Sequence, residues 1–312
     1  MNGLELSRGY YEEYGRPMLE EQFPALLPLL AVGLVGSGSE RFGFDDDISR
    51  DHDFDPGFCI FLPDEATVSR RDAFLLERAY AKLPKEYGGV RRQPVSPVGG
   101  SRSGVMRMAD FYLQAVGSPD GRLSTEAWLR LPDYALAEAT NGEVFYDGFG
   151  AFTAIREALL SMPEDVRKKR LAGNLLLMAQ AGQYNFPRCL RHGEPEAAEL
   201  ACGEFVSAAL KVIFLLEGRY LPYYKWSFRA LRGLKDRQPE AETLAFLLHA
   251  DSRRDAVGME ERIEALSARI AAELRRRGYA GTETDELEAL AYDVNGGIAD
   301  GSVRNLHILA AT

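Results

Sequence analysis

The chain is poor in cysteine and histidine, which excludes several kinds of site. Among its 312 residues are three cysteines and four histidines. An odd, sparse set of cysteines (Cys59, Cys189 and Cys202) does not make a disulfide framework and fits a reducing compartment, so we expect a cytoplasmic protein. The histidines lack the spacing of zinc ligands, and no serine–histidine–aspartate or cysteine–histidine set indicates a nucleophilic site.

Long apolar runs and an excess of positive charge are also lacking. No apolar segment approaches the ~20 residues of a membrane span, and no basic stretch followed by an apolar core opens the sequence, so we expect no membrane anchor or signal peptide. The net charge of −10 argues against a broad electrostatic grip on nucleic acid. It still allows a small anionic ligand in a local basic pocket. Oligomeric state stays open between monomer and homodimer.

The pattern of apolar residues divides the chain into two halves. The first half has helical patterns over residues 1–25 and 67–83, and its apolar run 58–62 is typical of a buried strand. Residues 29–35 indicate either a helix end or a strand, residues 90–103 a loop, and residues 104–108 and 143–146 short strands. We predict an α+β fold, in which residues 1–155 form a mixed α/β domain.

Long helical patterns dominate after residue 152. They cover residues 163–184, 197–216, 223–234, 240–249 and 258–277. The last pattern is the clearest, because its apolar residues follow one stripe and Gly278 is placed to end the helix. We therefore predict that residues 156–312 form an all-α helical bundle.

A small-residue turn and two aspartates are the strongest chemical signal. Gly38 and Ser39 belong to the turn Gly36–Ser39, which offers backbone N–H groups without bulky side chains, as a phosphate cradle requires. Asp51 and Asp53 are two positions apart, so an extended backbone points both carboxylates to one face. Carboxylates are the protein ligands that Mg²⁺ prefers. Either motif alone is common in solvated loops, whereas their combination in this order predicts phosphoryl or nucleotidyl transfer.

The segment from Gly38 to Asp53 resembles the nucleotidyltransferase superfamily typified by DNA polymerase β, with a Gly-Ser turn, a gap of about ten residues, and acid-x-acid entering a strand. Glu143–Asp147 resembles the last sheet strand of aminoglycoside-type members, which append a helical bundle. The chain is also similar to an uncharacterised bacterial group of this superfamily. The resemblance implies a small mixed sheet flanked by helices in residues 1–155. It also implies two Mg²⁺ ions on Asp51 and Asp53, a nucleoside triphosphate such as ATP held by Gly38, Ser39 and Glu40, and transfer of a nucleoside monophosphate.

The third carboxylate of that superfamily is not evident in this chain. It belongs on a later strand, but the candidate strand 104–108 has no acid. Asp110 follows directly and is our candidate, with Glu143 as the alternative. If neither serves, the site lacks a general base.

Polar clusters in the helical half suggest ligand contacts. Gln180, Tyr184 and Arg188 share one face at helical spacing and indicate either an anion or sugar site or a solvated helix end. Tyr224 and Lys225 lie in an aromatic stretch after Pro222, where the lysine would reach a triphosphate and a ring would stack on a base. Aromatic packing with an exposed lysine is the alternative. Residues 167–170, all basic, are expected to form a solvated face.

We therefore expect a magnesium-dependent nucleotidyltransferase that acts on an unknown hydroxyl-bearing acceptor, either a small molecule or a macromolecule. The alternative is a catalytically weak or inactive nucleotide-binding or partner-binding protein of the same fold. A metal-dependent phosphatase is a third possibility.

Overall fold

A computed structural model describes residues 1–49, 54–92 and 102–312, which form two compact units. Unit 1 contains Met1–Leu123 and Tyr134–Ser161, and unit 2 contains Ser124–Asp133 and Met162–Thr312. The segment Ser124–Asp133 belongs to the helical unit, so the predicted boundary after residue 155 does not separate the two units completely. The α+β class is confirmed, because unit 1 contains a mixed sheet and helices make up most of the rest.

Among the described residues, the main sheet of unit 1 has four strands, β1 Ala31–Leu34, β2 Cys59–Leu62, β5 Gly104–Arg107 and β6 Glu143–Asp147. Their order in the sheet is β5-β2-β1-β6. The central strand β1 pairs antiparallel with both β2 and β6, while β2 pairs parallel with β5. The sheet is therefore mixed, as predicted, and β1 settles the ambiguity of residues 29–35 in favour of a strand.

Strands β1 and β2 form the centre of the sheet because every residue in them is apolar or glycine. All four residues of each strand are buried. A continuous apolar run of this length suits a strand covered on both faces. The core beneath the sheet is aromatic, with Tyr10, Tyr11 and Tyr80 packed around Phe58.

The helices of unit 1 begin with a pair joined by one π-helical turn. Their bounds are α1 Gly3–Tyr10, α2 Arg16–Gln22, α3 Arg70–Lys82, α4 Met108–Val116, α6 Asp133–Thr140 and α7 Ala151–Leu160. The π turn spans Tyr11–Gly15, where a side chain on Gly15 would collide with Phe58. Ser69 caps the start of helix α3, since its hydroxyl accepts the Asp72 N–H at 3.2 Å.

The predicted loop 90–103 is wrong in its first two residues. A two-residue turn of Gly88 and Gly89 connects β3, Glu86–Tyr87, to β4, Val90–Arg91, in an antiparallel hairpin. Both glycines have positive φ, 58° and 77°, the backbone that type I′ hairpin turns require. Adjacent glycines between strand-forming residues are a hairpin signal that the sequence contained.

Unit 2 consists entirely of helices. Their bounds are α5 Thr125–Arg130, α8 Glu164–Met178, α9 Phe186–Arg191, α10 Pro195–Leu216, α11 Tyr224–Arg232, α12 Gln238–His249, α13 Ser252–Arg276, α14 Leu287–Gly296 and α15 Gly301–Arg304. A π-helical stretch, Ala179–Asn185, joins α8 to α9. The long predicted helices are all present, and the one predicted over residues 258–277 begins six residues earlier, at Ser252. Among the helices of the described residues, none has both the length and the apolar composition for crossing a membrane.

The basic run 167–170 is not the solvated face that the sequence suggested. Lys169 is fully buried and Arg170 is 4% exposed. All four side chains donate to backbone carbonyls at or just beyond helix C-termini: Arg167 to Leu215 of α10, Lys168 to Gly297 after α14, Lys169 to Arg304 of α15, and Arg170 to Leu131 after α5. Cations are favoured there because the last carbonyls lack intrahelical donors. Helix α8 thus ties four other helices together.

Candidate functional site

One end of the main sheet, called here the loop end, collects most of the candidate residues in unit 1. Strand β1 ends there at Leu34, and β2, β5 and β6 begin there, because Leu34 pairs with Glu143 and Gly33 and Gly104 both pair with Cys59. The Gly-Ser turn therefore lies beside the starts of three strands. This end of the sheet brings residues from several chain segments together, so a site can form there.

An asparagine side chain fixes the start of the Gly-Ser turn. The Gly36 N–H donates to Asn141 Oδ1 at 2.8 Å, and Asn141 Nδ2 donates back to the Gly36 carbonyl at 2.7 Å. Gly36 has a φ of 105°, which favours glycine. The sequence indicates Asn141 only as a turn residue, because its partner lies far away along the chain.

The three residues after Gly36 keep their backbone donors unused. Within the described parts of the chain, the N–H groups of Ser37, Gly38 and Ser39 and the Ser39 hydroxyl have no hydrogen-bond partner. The carbonyl of Ser39 accepts from Phe42 and Phe44, so within the described residues Ser39 uses its acceptor and none of its donors. Consecutive unpaired N–H groups attract anions.

Glu40 uses its carboxylate within the protein. It is 7% exposed and accepts a hydrogen bond from Arg41, which is 2% exposed. A Cβ on Gly38 would lie 2.4 Å from a Glu40 carboxylate oxygen, and the φ of Gly38 is 136°. Contact with Glu40 is therefore enough to require glycine at position 38, whether or not a phosphate binds there. The carboxylate of Glu40 contacts the Arg41 guanidinium, so it does not face an open site.

Arg41 joins the turn to the segment before β5. Its Nε donates to the Val35 carbonyl at 2.8 Å, and its Nη2 donates to the Arg102 carbonyl at 2.7 Å and to Ser103 Oγ at 3.3 Å. Burying a guanidinium is costly unless it is paired and hydrogen-bonded. Arg41 meets that condition, so it fixes the position of the Gly-Ser turn at the loop end.

Asp51 and Asp53, the predicted metal ligands, lie outside the described residues. The nearest described acid is Asp55, whose Oδ1 accepts the Gly57 N–H at 2.7 Å in a local turn. Asp55 continues the alternation of Asp51 and Asp53, a pattern that is visible in the sequence and makes it a further candidate ligand.

The two candidates for the third carboxylate lie at opposite ends of the sheet. Asp110 is exposed in the first turn of α4, which follows the far end of β5, so the structure does not bring it together with Ser39. Glu143 starts β6 at the loop end, beside Leu34, and forms an ion pair with Arg8.

Glu138 on α6 is a carboxylate that the sequence did not single out. It lies one helical turn before Asn141 and has no hydrogen bond or ion pair in the part of the chain that the structure describes. Burial raises the pKa of Glu138, and the charges of Arg102 and Arg41 oppose that rise only in part. Nothing in its immediate sequence distinguishes Glu138 from a surface residue, because its surroundings come from distant segments.

A groove of about 530 Å³ runs between β6 and α7 and begins at Gly142 and Glu143, next to the loop end. Arg156 of α7 lines it and donates to the Gly142 carbonyl at 3.0 Å. Its other terminal nitrogen, Nη1, is buried with no partner among the described residues. Burial lowers the pKa of Arg156.

Tyr224 and Lys225 open α11 in unit 2. Tyr224 is 74% exposed, with its ring 4.4 Å from that of Tyr223, and Lys225 Nζ lies 5.0 Å from the ring of Trp226. Gln180, Tyr184 and Arg188 are all exposed, with Arg188 over Tyr184, as expected for either a ligand site or a solvated helix end. In contrast, Gln183 is used structurally: its amide accepts from Leu287 and donates to Glu264.

The side chains needed for a metal centre are not complete in the described part of the chain. No group of three or more histidine, cysteine, aspartate or glutamate side chains occurs there in a metal-binding arrangement. The carboxylate oxygens of Asp51 and Asp53 have the chemistry of Mg²⁺ ligands.

Residues 128–227 match the profile of a domain of unknown function, DUF4037. This segment is similar to that family over about a third of the chain, from α5 to α11. It contains Glu138, the basic run of α8, Tyr224 and Lys225, but not Gly38, Ser39, Asp51 or Asp53. No curated protein and no solved structure matches the chain.

Proposed function

We propose that the protein is a metal-dependent nucleotidyltransferase, which moves a nucleoside monophosphate from a nucleoside triphosphate to an unidentified hydroxyl-bearing acceptor. The observation that carries this proposal is the set of unpaired donors at the end of β1: the N–H groups of Ser37, Gly38 and Ser39 and the Ser39 hydroxyl, none of which has a partner among the described residues. Such donors stabilise the charge of phosphate oxygens without any rearrangement of the protein. The Asn141 and Arg41 contacts hold them in place beforehand.

Asp51 and Asp53 would hold Mg²⁺ beside this turn. When bound, the metal neutralises charge on the triphosphate and its leaving group. The protein itself would position the phosphates with the turn donors. Glu138 is our candidate for accepting the proton of the attacking hydroxyl, because it is a loop-end carboxylate without a partner in the described chain and its raised pKa suits a general base.

Transfer of label tests the proposal. The protein is incubated with each α-labelled nucleoside triphosphate, Mg²⁺ and a cell extract, and the molecule that acquires the label is identified. We expect labelling that requires Mg²⁺ and is abolished by Asp51→Asn. The matched control is Glu21→Gln, an exposed carboxylate on α2, which should retain full turnover. Retained turnover in Asp51→Asn would refute the metal assignment.

The same assay identifies the third carboxylate. Glu138→Gln should lower turnover by about 10²- to 10⁴-fold if Glu138 is the general base. Asp110→Asn should then behave like the wild type, because Asp110 lies at the far end of the sheet. The reverse result would return the role to Asp110.

A nucleotide-binding protein without catalysis is the second candidate. One observation favours it: β5, the strand beside β2, has the sequence Gly-Val-Met-Arg and contributes no acid. Binding of ATP without release of pyrophosphate, in the presence of every extract fraction, would favour this candidate over the enzyme.

A further inference from the structure

Strand β6 is an open edge of the main sheet. Among the described residues it pairs with β1 on one side, and no strand lies on its other side. All five of its residues are half-buried, whereas the four residues of β1 are buried. An edge strand presents a row of backbone N–H and C=O groups, and an added strand can pair with them.

The groove of about 530 Å³ between β6 and α7 follows this edge, because six consecutive residues, 142–147, line it. Neighbouring side chains of a strand point to opposite faces of a sheet, so a groove on one face would be lined by alternate residues. Lining by every residue indicates a groove along the edge itself. The opposite wall is one face of α7, formed by Thr153, Arg156, Glu157 and Leu160.

The guanidinium of Arg156 has no counterion among the described residues. Its one hydrogen bond goes to the neutral carbonyl of Gly142, and no carboxylate pairs with it there. The group whose charge would favour the guanidinium is Tyr112, but burial raises the pKa of that phenol, so it is uncharged at neutral pH. Burial of an unpaired charge is costly, and a carboxylate brought by a ligand would complete the pair. The bond to Gly142 places this group at the end of the groove where β6 starts.

The remaining charge in the lining is negative. It comes from Glu143, Asp147 and Glu157. Glu143 pairs with Arg8, and both oxygens of Asp147 accept backbone N–H groups at the start of α7. Glu157 is exposed and has no partner in the described part of the chain. A polyanion such as RNA would be repelled by these acids, whereas a ligand with one carboxylate and basic side chains complements the groove.

We propose that this groove binds the basic C-terminal segment of a partner protein, which adds to β6 as a further strand. The terminal carboxylate of the segment pairs with Arg156, a basic side chain pairs with Glu157, and the backbone pairs with β6. Because the guanidinium lies where β6 starts, the added strand ends there and runs antiparallel to β6, which is the more stable pairing. The proposal does not depend on nucleotidyl transfer.

A randomised library of peptides of about six residues, tethered at the N-terminus and with a free C-terminal carboxylate, tests the proposal on the full chain without any nucleotide. We expect the bound peptides to be enriched in lysine or arginine and in strand-forming residues. The best peptide is then labelled and titrated by fluorescence anisotropy. Its C-terminal amide should bind about 10- to 150-fold more weakly, because the charged hydrogen bond to Arg156 is lost.

Methylation of the peptide backbone tests strand addition itself. Each N–H of the bound peptide is replaced in turn by N–CH₃. In a strand, alternate N–H groups face the neighbouring strand, so affinity should fall by about 3- to 10-fold or more at every second position and stay unchanged at the positions between. Equal sensitivity at all positions, or none, would overturn strand addition.

Variants of the protein identify the groove as the binding site. Arg156→Gln should weaken the acid peptide by the same factor as amidation, and it should bind the acid and amide forms equally, because both changes remove one contact. Thermal unfolding should show no loss of stability, since the charge that is removed has no partner in the described residues. Arg122→Gln, at an exposed arginine of unit 1, removes the same charge and should bind like the wild type.

Glu157→Gln should weaken peptides that contain lysine or arginine and leave their neutral analogues unaffected. Failure of every library member to bind, equal binding of acid and amide forms to the wild type, or wild-type affinity of Arg156→Gln would overturn the proposal. Selection of acidic peptides would also overturn it, because the acids of the groove would then not face the ligand.

Discussion

The loop end of the sheet in unit 1 and helix α8 in unit 2 both look polar in the sequence, but their polar groups are used differently. On α8, all four basic side chains of residues 167–170 donate to carbonyls of other helices or of the residues that follow them. At the loop end, the donors of Ser37, Gly38 and Ser39 and the carboxylate of Glu138 have no partner in the described part of the chain. The first region holds the fold together, and the second has capacity left for a ligand.

Charge density in a sequence therefore does not identify a site. The basic run has more charge than any other four-residue segment, yet its side chains are used by the fold. The Gly-Ser turn has no charge of its own, yet it presents donors that have no partner among the described residues. Sites with unpaired groups cost stability, whereas groups that complete the fold add to it. Variants in the two regions should therefore change stability in different amounts and directions.

The largest effect is expected from Arg170→Ala. Arg170 pairs with Asp133 at 2.6 Å and donates to the Trp128 carbonyl at 2.7 Å. Burial already raises the pKa of Asp133 despite this guanidinium. Removing Arg170 leaves a buried, unpaired carboxylate, which costs about 3–5 kcal/mol. Thermal unfolding followed by circular dichroism should show a Tm lower by at least about 6 °C.

Two further variants check the cause of that loss. Arg130→Ala breaks an exposed ion pair with Glu126 and should change the free energy of unfolding by less than about 0.5 kcal/mol. Adding Asp133→Asn to Arg170→Ala should restore part of the stability, because it removes the unpaired charge. A loss below about 1 kcal/mol for Arg170→Ala would show that α8 does not anchor its neighbouring helices through this side chain.

Lys169→Met should have a smaller effect. Its Nζ donates to Leu306, Asn295 and Arg304, all through neutral oxygen atoms, at 2.7, 2.9 and 3.3 Å. Methionine fills the space but leaves these acceptors without a donor, at about 1–3 kcal/mol. Urea unfolding measures the difference, with Lys168→Met, which loses one half-exposed contact, as the control.

The pH dependence of this variant has a definite sign. Burial lowers the pKa of Lys169, so the folded protein binds that proton less tightly than the unfolded chain. The wild type therefore gains stability relative to Lys169→Met as the pH rises from the lowered pKa towards the ordinary value of about 10.4. A deficit of the variant that shrinks between about pH 8 and pH 10 would contradict the burial of a charged amine.

Glu138→Gln should stabilise the protein slightly. Because burial raises the pKa of Glu138, ionisation of this carboxyl costs stability, and the cost develops as the pH rises from the unfolded pKa through the raised pKa. Glutamine removes it, so Tm at about pH 7.5 should rise by roughly 1–3 °C. Below the unfolded pKa of about 4.3, glutamate is itself neutral and the gain should vanish.

Glu143→Gln is the matched control for Glu138→Gln. It alters a carboxylate at the same sheet end that already has a partner, Arg8, and should not stabilise the protein. If Glu138→Gln gains stability and loses turnover while Glu143→Gln does neither, Glu138 is a functional group. Equal effects of both variants would mean that general charge at the loop end matters, not the unpaired state of Glu138.

The sequence predicted those elements whose signals are local. The apolar run of β2 and the striped pattern of α13 each lie within one segment, so burial follows from periodicity alone. Strand β1 stayed ambiguous because Gly33 interrupts its apolar pattern, and pairing with β2 and β6 on both sides decided it.

Surroundings made by distant segments could not be predicted. In the sequence Lys169 looks like a surface lysine, but α15 and the residues after it cover its side chain. The charges near Glu138 come from Arg41 and Arg102, which are distant from it in the sequence. Of the candidate site, the sequence predicted the turn, and the aspartate pair stays a prediction because it lies outside the described residues. It did not reveal Arg41 as the anchor of the turn, nor which carboxylate at the loop end is left without a partner in the described chain.

The smallest expected change in stability comes from Ser39→Ala, which makes it the sharpest test of the contrast between the two regions. The Ser39 hydroxyl has no partner in the described residues, so the free energy of unfolding should stay within about 0.5 kcal/mol of the wild type. Binding of ATP with Mg²⁺, measured by calorimetry, should nevertheless weaken about 3- to 10-fold through the loss of one hydrogen bond. Ser7→Ala should show the opposite pattern, because the Ser7 hydroxyl is buried and donates to the Gly57 carbonyl at 2.7 Å. That variant should lose about 1 kcal/mol of stability and bind ATP normally where it is folded. If Ser39→Ala lowers the stability of the fold and leaves ATP binding unchanged, the turn has a structural role. Its donors, which have no partner in the described residues, then do not mark a phosphate site.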